Sequence, residues 1–534
     1  MSFAKTCLSL LAGAAVLAPS LFADAVPCKI FQSNMVLQRE TPVPVWGTAS
    51  PGEEVSVSFA GQTVSGKADE KGAWCVTLQP LKTATEGTDL VIKGKNEITL
   101  KNVVVGDVWL CGGQSNMEMN FQWGILDGKK FIEESAKYPL IRRVKFNKTT
   151  STVVPKDPPV GEWSVCGPQT VPAYTACGYF FAVRLLEETG IPIGILDDNW
   201  SGSPIEPFIP TEAFGMTFQP KDKEEEQILA WFKRMDSTLK LYDLSRPESK
   251  ERMLKELDVY RKYIKTAEEQ IAQGKVPPAP PATLYTNRPD NRAWNIMMAP
   301  VVRFPIRGAI WYQGCANGGE GNSYYYKMKA LIEGWRAAWK IDFPVYFVQL
   351  APYWKRTADP AGGNGYARIR EAQRKSMSIP KTGMACTIDI GMEYDIHPKN
   401  KQDVGARLAL WALRDVYGKK DTVVSGPIFK SMKIEGNSVR LSFDYSDGLC
   451  TARKTGYAAP VPTPDKAPKH FAVAGADKVW HWADAKIDGK DIVLSSPKVP
   501  APVAVRYAYR AYPDGVNVYN GAGLPMVPFR TDNW

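Results

Sequence analysis

Histidine is almost absent from this chain: 534 residues hold only His397, His470 and His481. A reaction that needs a general base titrating near neutrality therefore has three places to find one. A metal centre built from several imidazoles has almost nothing to draw on. No C-x-x-C pair occurs among the nine cysteines, which removes the commonest structural zinc pattern. Beyond the first 25 residues no stretch reaches 18 unbroken apolar residues, so no transmembrane span is expected. The net charge is +10, from 66 Lys+Arg against 56 Asp+Glu, yet there is no long basic run and no basic stripe with interleaved aromatics. Nucleic acid is not expected as a partner. The surplus positive charge favours an anionic substrate only mildly.

What is present is ordinary for folded chains: 44% hydrophobic, 23% charged and 11% aromatic residues. At roughly 150 residues per domain, about three domains are expected. Residues 1–25 read as a secretory signal peptide. Lys5 supplies a short positive start, 8–17 is nearly all apolar, and Ala23-Asp24-Ala25 is a small-x-small cleavage site. The implied location is periplasmic or secreted. Eight cysteines remain after that segment, and an exported protein could pair them in many ways. Several sit in apolar runs and read as small buried hydrophobes.

The hydrophobic period changes along the chain. Over 26–103 it is two, as in Val55, Val57, Phe59 and in Trp74, Val76, Leu78, which predicts an N-terminal β-sandwich-like domain. Over 104–420 apolar strands at 108–111, 193–196, 309–312, 345–350 and 385–390 alternate with helices at 179–189, 324–339 and 404–416. That alternation predicts an α/β core with a parallel sheet, with functional loops at the carboxyl ends of its strands. A helical insertion is expected at 213–285. Ile228, Trp231, Met235 and Leu239, then Met253, Leu257, Tyr260, Ile264 and Ile271, repeat there at helical spacing, before a proline-rich return at 277–281. Period two returns over 421–534 and predicts a C-terminal β domain.

Four loops at strand ends hold residue types that carry chemistry. The first core strand runs into Gly112-Gly113-Gln114-Ser115-Asn116. Glycines at a strand-to-helix turn permit close backbone approach, and a serine there meets free N–H groups that favour developing negative charge. A second loop is Trp200-Ser201-Gly202-Ser203-Pro204-Ile205-Glu206, and a third is Gln313-Gly314-Cys315-Ala316-Asn317. A glycine N–H and an asparagine amide are donors suited to an oxyanion. The fourth is Asp395-Ile396-His397-Pro398, in which a carboxylate two residues from a histidine can hold its tautomer and raise its pKa.

Together these blocks resemble the sialate O-acetylesterase family of the SGNH hydrolase superfamily. Gly113 to Glu118 is similar to the family's nucleophile block, and the closing Gly523-Leu524-Pro525 to Asp532 is similar as well. The resemblance implies a three-layer α/β/α core and a serine esterase. It would remove O-acetyl groups from sialic acid or a sialoglycan, through an acetyl-enzyme on Ser115 and without metal or organic cofactor. It implies His397 as base and Asp395 as its orienting partner. Ser115 N–H, Gly202 N–H and Asn317 would hold the oxyanion, and Gln114 and Gln313 would meet substrate. The chain departs from the family in having Trp200-Ser201-Gly202-Ser203 for Trp-Gly-Gly-Thr, and Cys315-Ala316 for Glu-Ser. Another acetylated glycan such as xylan is the alternative substrate, and a non-catalytic glycan-binding protein is the remote alternative.

Overall fold

The computed structural model describes residues 24–149, 157–240, 246–281 and 293–534. The signal peptide expected at 1–25 falls almost wholly outside them. The architecture is mixed α/β, a central mixed sheet with additional β-sheets at both ends of the chain. Five strands of the centre are parallel to their neighbours around Glu97–Gly113: Ile141–Lys145, Ile193–Asn199, Gly308–Tyr312, Val345–Val348 and Thr382–Ala385. Every residue of Ile193–Asn199 and of Gly308–Tyr312 is buried, as strands covered on both faces require. Cys111 packs against Gly178 of the helix Ala176–Thr189, whereas its neighbour Gly112 packs against Trp335 of the helix Asn322–Trp339. Successive strand residues point to opposite faces, so these two helices cover opposite faces of the sheet.

The strand Glu97–Gly113 is 17 residues long and joins two regions. Its first half pairs with Ala84–Lys93 and Val36–Gln38 of the N-terminal β region, and its second half forms the centre of the core sheet. The period-two segments form strands as expected. Glu54–Phe59, Ala73–Leu78 and Ser438–Asp444 each alternate buried and more exposed residues.

One expectation is corrected, and two elements the sequence did not announce are present. The strand expected at 385–390 is displaced to Thr382–Ala385; residues 386–390 leave the sheet, with Asp389 held by the Arg407 guanidinium at 2.7 and 2.8 Å. The strand Ile141–Lys145 was missed because two arginines and a lysine mask its apolar residues; Arg143 and Lys145 pair with buried Asp197. The helix Ala367–Ser376 was missed because its charges outnumber its apolar residues.

The insertion is helical, with helices Lys223–Lys240 and Pro247–Ala272. Trp231 of the first lies 4.5 Å under the Lys327 ammonium of the helix Asn322–Trp339. All eight described cysteines are free thiols, and burial pushes Cys166, Cys177 and Cys386 up to about 12. Among the described residues no helix is long and apolar enough to cross a membrane.

Asp198, at the end of the strand Ile193–Asn199, is buried and neither carboxyl oxygen has a hydrogen-bond partner among the described residues. Burial pushes its pKa up to about 8, with Lys145 opposing and Asp197 adding to the rise. Between the unfolded value of 3.8 and about 8 the folded state keeps this proton and the unfolded state does not. Stability is therefore lost as pH rises through that window, at up to roughly 1.4 kcal/mol per pH unit. Asp198→Asn should gain stability relative to the wild type steadily from pH 4 to pH 8 in urea unfolding. A difference independent of pH would refute this.

Candidate active site

Register places the site. Gly113 stands level with Asn199 on one side and Tyr312 on the other, so three loops leave the sheet side by side at its carboxyl edge. Gly113 has φ +144°, and a Cβ there would lie 2.3 Å from the Tyr312 carbonyl oxygen. Only glycine fits. The chain then turns into the single helical turn Ser115–Glu118. Ser115 is 9% exposed, and its N–H makes no hydrogen bond among the described residues.

The Gly202 turn is fastened to this turn from both sides. Trp200 N donates to the Gly113 carbonyl at 2.9 Å, and Ser201 N donates to Glu118 Oε2 at 2.8 Å. The Ser201 hydroxyl donates to the same carboxylate, which gives the residue that departs from the family pattern a local purpose. Gly202 has φ +74° with open space where a Cβ would be, so its requirement is conformational. Its N–H is also unengaged among the described residues.

The His397 loop is tied to Ser115 through Asn116. Asn116 Nδ2 donates to the Ile396 carbonyl at 2.9 Å, and Asn116 Oδ1 accepts from Lys401 Nζ at 2.7 Å. Lys401 is buried over the Tyr312 ring at 5.1 Å, and burial pushes its pKa down to about 7. His397 Nε2 is buried without a hydrogen-bond partner among the described residues, and its ring stands edge-on to Trp123 at 5.5 Å. Serine and histidine are not hydrogen-bonded to each other here; such bonds are often long without substrate and tighten in the complex.

Asp395 Oδ1 accepts from the His397 backbone N–H at 2.8 Å and lies 3.7 Å from Nδ1, while Oδ2 lies 3.2 Å from Lys399 Nζ. Asp395 does raise the His397 pKa, as expected, but the expected net rise is corrected: the net direction is down. Burial is the largest cause, and the Lys401 charge adds to it. Asp395 opposes both, and Lys399 contributes a further lowering. The neutral, proton-accepting form thus persists to lower pH. The acid limb of kcat/KM should fall below the ordinary histidine value of 6.5, and a limb above it would contradict this assignment of forces.

Asn317 is buried and its amide is saturated. Its oxygen accepts from Ile205 N at 2.9 Å and Gln313 Nε2 at 2.8 Å. Its nitrogen donates to Glu206 Oε2 at 3.2 Å and Glu320 Oε1 at 2.9 Å. Lys327, itself buried, bridges the two carboxylates. Gln114 and Gln313, expected to meet substrate, are buried and bonded inside the protein. Gln114 Oε1 accepts from Gly314 N at 2.9 Å and Ala316 N at 3.3 Å, and Gln313 also donates to the Ser203 carbonyl and accepts from Tyr324. Their surroundings make them fasteners of the loops. Lys401, Glu320 and Lys327 went unnoticed in sequence because each reads as ordinary helix-end or helix-surface charge. Among the described residues no group of three or more His, Cys, Asp or Glu side chains is arranged to hold a metal ion.

Because Asp395 shares its carboxylate with Lys399 and grips the His397 backbone, Asp395→Asn should lower kcat by about 10²–10⁴-fold and leave residual turnover. Its acid limb should move further down, since the one raising influence is gone. Full activity would mean that another group orients His397. Glu393 is already engaged by Arg356 at 2.7 Å.

Comparisons agree on the family. The family model described as carbohydrate esterase, sialic acid-specific acetylesterase, matches residues 279–414. Sialate O-acetylesterases of Rattus norvegicus and Mus musculus are each 26% identical, over 93% of this chain and 92% of theirs. The crystal structure of a carbohydrate acetylesterase from Xanthomonas citri is 32% identical, with a TM-score of 0.75, over 96% of this chain and all of that one. The chain belongs to the sialate O-acetylesterase family and is a carboxylic ester hydrolase.

Proposed function

We propose that the protein is a serine esterase that removes O-acetyl groups from sialic acid through an acetyl-enzyme on Ser115. The observation that carries the reading is the join between the two halves of the site. Asn116, next to the nucleophile, bonds the loop that carries the base, while the N–H groups of Ser115 and Gly202 stand unengaged among the described residues. His397 takes the Ser115 proton as the hydroxyl attacks the acetyl carbonyl, and Asp395 steadies the imidazolium. Ser115 N–H and Gly202 N–H receive the oxyanion. Asn317 is the third donor, and it serves by giving up the carboxylate it holds at 3.2 Å. The sugar alcohol leaves with the proton from His397. Water then repeats the sequence on the acetyl-enzyme, releasing acetate and restoring Ser115.

The reading includes the SGNH-type α/β/α core over 104–420, flanked by β domains at 26–103 and 421–534, and export through the leader at 1–25. The sialic acid specificity is supported by the description of the matching family model and by the names of the relatives. Acetate release from O-acetylated sialic acid, measured beside acetylated xylan, tests it. The reading expects a clear preference for the sialic acid ester, and equal or greater release from xylan would overturn it.

A further inference from the structure

Beside the Asn317 loop lies a cavity of about 500 Å³ whose lining includes Cys315, Ala316, Tyr353, Trp354, Tyr366 and Arg368. Two features set it apart. Trp354 is 56% exposed and has φ +92°, a conformation that costs a bulky residue energy and persists only where the surroundings enforce it. Its N–H donates to the Glu393 carbonyl at 3.2 Å, so the strained residue is clamped to the loop that carries Asp395. Tyr353 stands edge-on to it at 5.6 Å.

Arg368 is the second feature. The only hydrogen bond of its guanidinium among the described residues runs from Nε to the Gly363 carbonyl at 3.3 Å, and it forms no ion pair among them. The rest of its guanidinium is free to receive an anion. The wall behind it is fixed: Gly363 N donates to the Tyr509 carbonyl at 2.8 Å, and Ala511 N donates to Asn364 Oδ1 at 3.0 Å. The C-terminal β region therefore holds this wall in place.

We propose that this cavity is the sugar subsite, in which the pyranose packs on Trp354 and the carboxylate of an acidic sugar pairs with Arg368. This rests on the reading of the Ser115 centre as a glycan O-acetylesterase, and it makes Arg368 the residue that distinguishes acidic from neutral sugars. Guanidinium and carboxylate match as a planar bidentate pair, and a hydrogen bond to a charged group is worth about 10- to 100-fold in affinity.

The test is kcat/KM for acetate release from O-acetylated sialic acid and from the same sugar with its carboxylate methyl-esterified. The wild type should prefer the acid by about 10- to 100-fold, and Arg368→Met should bring that ratio close to one. Arg368→Lys, which keeps charge but not the fork, should retain part of it. Trp354→Ala should weaken both substrates together and leave the ratio unchanged. A wild-type ratio of one, or an undiminished ratio in Arg368→Met, would overturn the proposal. No acetate from either ester would instead overturn the reading of the centre on which it rests.

Discussion

Ser115→Ala should lower kcat on an acetyl ester by about 10⁴-fold or more while the protein stays folded. The size of the loss follows from the proposed chemistry: without the hydroxyl the proposed acetyl-enzyme cannot form, and only the proposed oxyanion donors and binding remain to act on water. The intact fold follows from the structure. Among the described residues no hydrogen bond from the Ser115 hydroxyl holds the turn together. That task falls to Gly113, to Gln114 and to the bond from Asn116 to the His397 loop. Alanine is also a good helix former at the start of the turn Ser115–Glu118. The measurement is kcat on a chromogenic acetate ester, with thermal unfolding as the control. Near-normal turnover would end the assignment.

His397→Ala should be nearly as damaging, about 10³-fold or more in kcat, because in the proposed mechanism one imidazole both accepts the serine proton and returns it to the leaving alcohol. Only three histidines exist, so the control is complete. His470 lies in the C-terminal β region, held between the Asp514 carbonyl at 2.6 Å and the Arg510 guanidinium, and burial pushes its pKa down to about 4. His481 sits in the strand Trp480–Trp482, paired with Val473. His470→Ala and His481→Ala should keep turnover. If either proved essential, the base would be misassigned.

The loops that the structure brings together at this candidate site were legible because they sit at punctuation marks in the sequence. A glycine pair after an apolar strand, and an Asp-x-His after the last core strand, each mark a carboxyl edge. The parallel register of Glu97–Gly113 with its two neighbours then sets three of the loops side by side. What fastens them was not legible. Lys401 follows His397 by four residues and reads as a charge at a helix start, yet it is buried and bonded to Asn116, 285 residues away. Lys327 reads as the polar side of an amphipathic helix, but it bridges Glu206 and Glu320 behind Asn317. Such long-range pairings carry no period and no local motif. The His397 pKa was misjudged for the same reason. The sequence displays Asp395 two residues away, whereas burial and Lys401 act through the fold. The strand Ile141–Lys145 escaped notice because two of its three charges, Arg143 and Lys145, are answered by Asp197, a partner that only the sheet brings near.

The central claim is that acetate leaves a sugar by way of Ser115. The direct measurement is peptide mass mapping of enzyme acid-quenched during turnover of O-acetylated sialic acid, with His397→Ala as the control unable to form the adduct efficiently. The account predicts one acetyl group on the peptide containing Ser115, fragmenting to that residue, in the wild type and not in the control. An acetyl group carried at another residue during productive turnover, with Ser115 unmodified, would contradict it.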